Sequence, residues 1–382
     1  MTGNAQLVTQ LNTITPTASN SQTYTLTVNG KTVTYTADAS ATVAEITAGL
    51  VAAWNASTIP EMAEATAADG TTVLTITGDT SGAPFTQTSS ASGGGALVTV
   101  ATTAAAGPTF FSAATNSSTG SAPVSTDDVI LDRSAINYTD GLAMSAVTLA
   151  SLSIYASYTG SIGRPATNPN GYPEYRATEL AISSDVLTIG AGDGNGSPNI
   201  RLNLGSVACV AEIIKTGQSQ EIGCASVQLR GTSITSLIIH NGSVDLAVNA
   251  GHTATVTLLQ VAGGTVRTGT GCTVTTCQVN GGTVEMLKNP TTLTVLGGTV
   301  TLRGSNAPTT ITIRRSGRLV YNSNQTITTL NLGGVLDLSD DLRTFTVTTV
   351  NLEPGGQIID PFDRMTITNI AKNSDVKSLT AA

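Results

Sequence analysis

Two histidines, His240 and His252, are the only side chains in this chain that titrate near neutrality without help from their surroundings. His240 directly precedes Asn241-Gly242, and His252 follows Gly251, so both fall in turns. General-base work needs a partner that positions the imidazole, and no such partner is visible beside either one. Glycan cleavage is the sharpest catalytic hypothesis, and it requires two carboxylates facing one groove. Asp245 and Glu285 fall in one column of a repeat pattern, two rungs or ~10 Å apart, with Arg267 between them. A carboxylate–guanidinium–carboxylate column suits a surface ion-pair ladder better than an acid–base pair. The scarcity of aromatic residues also removes the usual platforms for stacking sugars. No GxSxG elbow, P-loop or HExxH motif occurs.

Metal and redox chemistry find equally little support. The run Gly190-Ala191-Gly192-Asp193-Gly194-Asn195-Gly196 has two oxygen ligands of a calcium loop but no later bidentate Glu, and reads as a flexible corner. Cys209, Cys224, Cys272 and Cys277 form no CxxC pair, so they are expected to be buried as small apolar residues. No cofactor and no metal is implied. The candidate interaction site is the loop that holds Tyr155, Tyr158, Arg164, Tyr172, Tyr175 and Arg176, stiffened by Pro165, Pro169 and Pro173. Tyr and Arg are enriched at binding hot spots. Ordered loops also recruit aromatics merely to cover their own domain, here the flank of the repeat region, and both readings stay open.

Composition restricts what can hold these residues. A chain of 382 residues is too long for one core, so two or three domains are expected. Charged residues make up 11%, less than half the usual ~25%, so Thr, Ser, Asn and Gly must cover the surface. Abundant Thr with aliphatic residues fits pleated β structure. The net charge of −8 and the scattered cations disfavour nucleic acid as a partner. No apolar run approaches the ~20 residues of a membrane span, and Met1 to Ala5 lack signal-peptide features. The expectation is a protein made and assembled in a cytoplasm, with no membrane partner.

The N-terminal part reads as a small α+β unit. Tyr24, Leu26 and Val28 alternate with threonines, and Val33 and Tyr35 do so after Asn29-Gly30, which predicts a hairpin. Val43, Ile46, Leu50 and Trp54 mark one face of a helix over 41–55, with Asp38 or Ser40 as N-cap. Met62 to Ala67 and Thr71 to Thr77 read as a second hairpin, giving a ββαββ module. Ser89 to Gly95 reads as a flexible break, and Leu97 to Val100 as a possible added strand. The expected divisions are 1–100 for the module, 101–123 for a linker, 124–372 for a solenoid and 373–382 for a tail.

The repeat pattern is clearest from Leu237 to Ile359. Pairs such as Leu237/Ile239, Leu259/Val261, Cys277/Val279, Leu293/Val295, Ile311/Ile313, Leu330/Leu332 and Val350/Leu352 recur every 16 to 22 residues. Each is followed by a glycine turn and then by a second apolar position, namely Val244, Val266, Val284, Val300, Leu319 and Leu336. One repeat cannot shield its own apolar face, but stacked repeats at ~4.8 Å share a continuous core. After Gly356 the polar Gln357 falls where an inward residue is expected, so the stack is read as ending there, with 362–370 as a cap. Weaker strands at 147–154, 187–189, 200–204 and 227–229 extend the solenoid back to about residue 124. The fold class is therefore mainly β: a C-terminal parallel β-helix, or β-solenoid, behind a small N-terminal ββαββ (α+β) domain.

Two stretches carry a family resemblance. The segment from Tyr24 to Ala37 with its Val-Asn-Gly-Lys turn, and Leu50-Val51-Ala52-Ala53-Trp54-Asn55, resemble a module found in virion proteins of tailed phages. Pro123-Val124-Ser125-Thr126-Asp127-Asp128-Val129-Ile130, with Ala146-Val147-Thr148-Leu149-Ala150-Ser151-Leu152, looks like the start of β-helical proteins of the same setting. The resemblance implies a non-enzymatic structural protein of the virion, of the capsid decoration or cement type. It further implies a homotrimer on the outer surface of the head, bound to the major capsid protein and assembled in the bacterial host cytoplasm. A tail fibre or host-binding tailspike is the alternative reading, and a glycan depolymerase a third. No catalytic motif comes with the resemblance.

Overall fold

Local rules of the first hundred residues build seven strands and one helix. The computed structural model describes residues 3–372, and the expected tail, 373–382, lies outside the described residues. Strands β1 (Leu11–Thr17), β2 (Thr23–Val28) and β3 (Lys31–Thr36) precede helix α1 (Val43–Asn55). Strands β4 (Ala65–Asp69), β5 (Leu74–Gly78), β6 (Gln87–Ala91) and β7 (Ala96–Thr103) follow it. The Asn-Gly hairpin forms as expected, pairing Tyr24 with Tyr35 and Leu26 with Val33. The cap of α1 is Thr42, not Asp38 or Ser40. Its hydroxyl accepts from Glu45 N at 3.1 Å, while the Glu45 carboxylate accepts from Thr42 N at 3.3 Å, a reciprocal capping box. Asp38 instead accepts from Ser40 N in a local turn. Glu45 also accepts from Tyr35 Oη at 2.6 Å, and that bond is the main reason the phenol is pushed up to about 12.

The simple ββαββ arrangement is exceeded. Two sheets form, ordered β4-β5-β1-β7 and β3-β2-β6. Of the expected flexible break from Ser89 to Gly95, Ser89 to Ala91 belong to strand β6 and 92–95 form the turn into β7; Ser89 Oγ donates to Leu97 O at 3.1 Å. The inward face of α1 buries Ile46, Leu50 and Trp54 among Tyr24, Leu26 and Ile76. Trp54 Nε1 donates to Ala65 O at 3.0 Å, so the indole is buried without an orphan donor.

By compactness the chain divides into two units. The first takes the described residues up to Ala122 together with Ile136–Leu142 and Gly163–Thr178. It thus includes 101–122, expected as linker, and two segments expected within the solenoid. The second takes Pro123–Ala135, Ala143–Ile162 and Glu179 to the last described residue.

The second unit is a β-solenoid of about 12 turns from residue 128 to 371. Its strands pair in parallel, coil upon coil. Val244 lies beside Val266, Val266 beside Val284, and Val284 beside Val300. Leu259, Cys277, Leu293, Ile311, Leu330 and Val350 form the facing column, and both columns are fully buried. A third inward column, Ile234, Val256 and Val274, was not visible in the repeat pattern. Three of the four cysteines lie in this aliphatic spine, where burial pushes the Cys209, Cys272 and Cys277 thiols up to about 12.

Glycine is required where corners stack. Gly264, Gly282 and Gly298 have φ of +81°, +81° and +77°. A Cβ on Gly282 would stand 2.4 Å from Gly264 O, and one on Gly298 would stand 2.4 Å from Gly282 O. The corner backbones are joined by Thr283 N to Gly264 O at 2.9 Å and Thr299 N to Gly282 O at 3.0 Å.

The stack does not end at Gly356. Gln357 pairs with Val335 and points outward, while Ile358 pairs with Leu336 and takes the inward position. The same one-residue offset after Gly-Gly applies in Gly264-Thr265-Val266, so the polar residue at 357 breaks no rule. Residues 362–370 are not a cap either. Met365–Lys372 is a further strand, parallel to Phe345–Leu352.

Beneath that strand lies a fully buried guanidinium. Arg364 Nη1 donates to Leu338 O at 2.9 Å and to Tyr321 O at 3.2 Å, and Nε donates to Arg343 O at 2.8 Å. Its charge is met by Asp341 at 3.5 Å. One side chain thus ties its own corner to the two corners before it.

Two predictions follow from this packing. Leu293→Ala should lower stability by about 2–5 kcal/mol and its outward neighbour Thr292→Ala by under about 0.5 kcal/mol, read as urea midpoints; equal losses would refute the inward column. Asp341 is held at about 2, against its ordinary 3.8, chiefly by hydrogen bonds from Arg343. A depressed carboxylate contributes stability that is complete above its ordinary value and is lost as pH falls through the native one. Asp341→Asn should therefore flatten the stability curve between pH 3.8 and about 2; an unchanged slope would clear Asp341 of any part in acid unfolding.

Candidate functional site

The six residues of the Tyr/Arg loop part company in the structure. Tyr155 and Tyr158 belong to the solenoid unit. Tyr155 ends the strand Ala143–Tyr155 and is 36% exposed. Tyr158 is buried, and its hydroxyl donates to Ser161 O at 3.0 Å. Arg164, Tyr172, Tyr175 and Arg176 lie on the strap Gly163–Thr178, which belongs to the first unit.

The strap is fastened by carboxylates whose partnership was not evident in the sequence. Tyr172 Oη and Tyr175 Oη donate to the two oxygens of Glu64, which sits in the 3-10 turn Met62–Glu64 before β4. The two rings stack at 6.3 Å between centroids, with 16° between their planes. Arg176 lies over the Tyr175 ring at 4.9 Å and donates to Glu174 at 2.8 Å. Arg164 pairs with Asp140, and its Nε donates to Thr139 O at 2.7 Å. Burial, then the hydrogen bond to Glu64, pushes both phenols well above the usual tyrosine value. Burial alone would raise Glu174, but its bonds from Arg176 outweigh that and hold it below the ordinary carboxylate value. These groups are engaged within their own unit, and Tyr155 is the most accessible of the six.

The carboxylate column of the solenoid is in the expected register. Asp245 lies beside Arg267, and Arg267 beside Glu285. Asp245 is nearly buried and accepts from Arg267 Nε at 2.7 Å, from Arg267 Nη2 at 2.6 Å and from Ala225 N at 3.1 Å. Glu285 accepts from Arg303 Nε at 2.8 Å instead of bonding Arg267. Arg318 pairs with Asp337 farther along the same face. Both oxygens of Asp245 are occupied by fixed donors, so this carboxyl is arranged as an ion-pair acceptor, not as a proton donor to a leaving group. His240 stands in its turn with Nε2 2.8 Å from Glu212, both half-exposed.

Neither protein-family models, curated protein sequences nor solved structures yield a match for this chain.

The fastening of the strap can be tested directly. Each charge-assisted bond to Glu64 is worth about 1.5–3 kcal/mol. Glu64→Ala should therefore speed tryptic cleavage after Arg176 by about tenfold or more. Cleavage at the wild-type rate would mean that the strap is held elsewhere.

Proposed function

We propose that the chain is a non-enzymatic structural component of a tailed-phage particle: a homo-oligomeric, in the leading form trimeric, decoration or cement protein on the outer surface of the head. What supports a structural role is the use made of the solenoid's charged groups. The two carboxylates that could have served glycan cleavage are drawn into a ladder of ion pairs, Asp245 with Arg267 and Glu285 with Arg303. The half-exposed Glu285–Arg303 pair contributes only about 0.2–1 kcal/mol, and together the pairs cover the outside of the stack. The phage setting rests on the resemblance of the N-terminal hairpin, the helix and the first solenoid strands. A decoration protein stabilises a shell by binding the assembled state in preference to free subunits.

The same solenoid suits a tail fibre or host-binding spike, and one experiment separates the two. Purified protein should add to heads that lack it and raise their resistance to heat, while leaving host cells and tail components unbound. Adsorption to cells, with no binding to heads, would move the protein to the tail. Incubation with host polysaccharide should release no reducing ends from wild type or from the Asp245→Ala/Glu285→Ala double variant. Release that disappears in the double variant would establish a depolymerase.

A further inference from the structure

Five Asn-Gly pairs occur in the chain, at 29–30, 170–171, 195–196, 241–242 and 280–281. Each is a latent reactant. The glycine backbone nitrogen, once it loses its proton, can attack the asparagine amide carbon, and with no Cβ on the glycine little shields that nitrogen. Reaction needs the two atoms brought to about 3–3.5 Å. The fold gives the five pairs different surroundings.

At four of them a reacting group is engaged elsewhere. Asn29 is buried; its Nδ2 donates to Glu61 O at 2.9 Å, and its Oδ1 accepts from Thr86 N at 3.0 Å. Gly171 N donates to Asn168 O at 2.8 Å and Gly196 N to Ala156 O at 2.8 Å, so a backbone carbonyl holds the proton that must leave. The Asn280 amide is occupied by Gln278, whose Nε2 donates to Asn280 Oδ1 at 3.0 Å.

At Asn241 the two reactants face each other. The residue is exposed, and its Oδ1 accepts from Gly242 N at 2.8 Å. One carbonyl bond of about 1.23 Å separates that oxygen from Cγ, which puts the carbon within about 4 Å of the nitrogen. Rotation about χ2, a broad torsion in Asn, swings the oxygen aside and presents the face of the carbon. The corner itself demands the glycine. Gly242 has a φ of +108°, and a Cβ there would stand 2.5 Å from Thr216 Oγ1. The bonds that stack this corner spare the reacting nitrogen: Ser243 N donates to Thr216 Oγ1 at 3.1 Å, and Gly242 O accepts from Thr265 N at 2.8 Å.

We propose that Asn241 is a site of spontaneous covalent modification, where the amide is converted to a carboxylate through a cyclic imide with Gly242. Hydroxide takes the Gly242 N–H proton, and the nitrogen bonds to Asn241 Cγ. The Cγ–Nδ2 bond breaks, and Nδ2 leaves as ammonia with a proton from water. Water then opens the imide, and no atom is oxidised or reduced. Opening at Cγ gives an ordinary aspartate. Opening at the Asn241 backbone carbonyl gives a β-aspartyl linkage, which lengthens the main chain where the next corner lies close; a Cβ on Gly264 would stand 2.6 Å from Gly242 N. The new carboxylate appears next to His240, which stands 2.8 Å from Glu212. The reaction is independent of any phage setting.

Peptide mass mapping of the full chain, kept folded at mildly alkaline pH, tests the assignment. Asn241 should convert at least about tenfold faster than Asn29, Asn170, Asn195 or Asn280. Ammonia should be released in step, and the rate should rise with pH because the nitrogen must lose its proton. On anion exchange the aspartate product should elute with the Asn241→Asp variant. In concentrated urea, where no fold distinguishes the pairs, the five rates should converge. Conversion at Asn241 no faster than at the other four in the folded chain would overturn the assignment. So would an advantage that persists undiminished in urea, since it would trace to the residues flanking Asn241 and not to the corner.

Discussion

How closely two backbones pass at the glycine corners governs the whole second unit. At Gly264, Gly282 and Gly298 the chain turns in a left-handed conformation with the carbonyl of the coil below about one atom's width away. Any side chain there would push the coils apart, and the parallel strands on either side would lose their shared hydrogen bonds. Close corners keep neighbouring strands at hydrogen-bonding distance. That distance forces equivalent residues of successive coils into columns. A column of Val, Leu, Ile and Cys makes a dry spine with little need for aromatic bulk, so five phenylalanines, eight tyrosines and one tryptophan suffice for 382 residues.

Columns act on polar residues as strongly as on apolar ones. Like charges in adjacent coils would be separated only by the strand spacing, so a charged column must alternate in sign. Asp245, Arg267 and Glu285 do so, while Arg318 reaches Asp337 diagonally from the neighbouring column. Uncharged residues are under no such restraint. Thr can follow Thr, and Asn can follow Asn with an amide bond between them. The low charge content of the chain and its wealth of threonine fit this stacking, and two outward columns, from Thr276 to Thr349 and from Gln278 to Asn351, are free of charge over five coils.

What could be read in the sequence is what repeats locally. The Asn29-Gly30 hairpin, the apolar face of α1 and the Gly-cornered pairs from Leu237 onward each rest on contacts within a few residues or on periodicity, and each formed. The column of Val266, Val284 and Val300 came through with its register intact. What was hidden depends on long-range partners or on weak hydrophobicity. Strand β1 buries Asn12, Ile14 and Pro16, so a single aliphatic residue marks it. Strand β6 is Gln-Thr-Ser-Ser-Ala and looks like a linker. Glu64 finds Tyr172 and Tyr175 more than a hundred residues away, and no local pattern joins them. Thr42 outcompeted Asp38 and Ser40 as a cap because only Thr42 has Glu45 three residues on to complete the box.

Arg364 shows how far this logic extends. A fully buried guanidinium is costly unless its charge and donors are met. Here Nε and Nη1 are met by the carbonyls of Tyr321, Leu338 and Arg343 from the two preceding corners, while Nη2 is left with only the charge of Asp341 at 3.5 Å. Those carbonyls lie at corners where the coil lengths vary and the glycine pairs are missing. At Gly264, Gly282 and Gly298 the corners stack through backbone, because glycine lets them touch, whereas Asn289 joins its corner to the next through Gly304 O and Asn306 O. Where side chains keep the corners apart, a long planar cation spans the gap and joins them. The solenoid thus closes its glycine corners by removing atoms and its irregular corners by inserting them, as Asn289 and Arg364 do. Either way the spacing of the coils, and with it every column on the surface, is preserved.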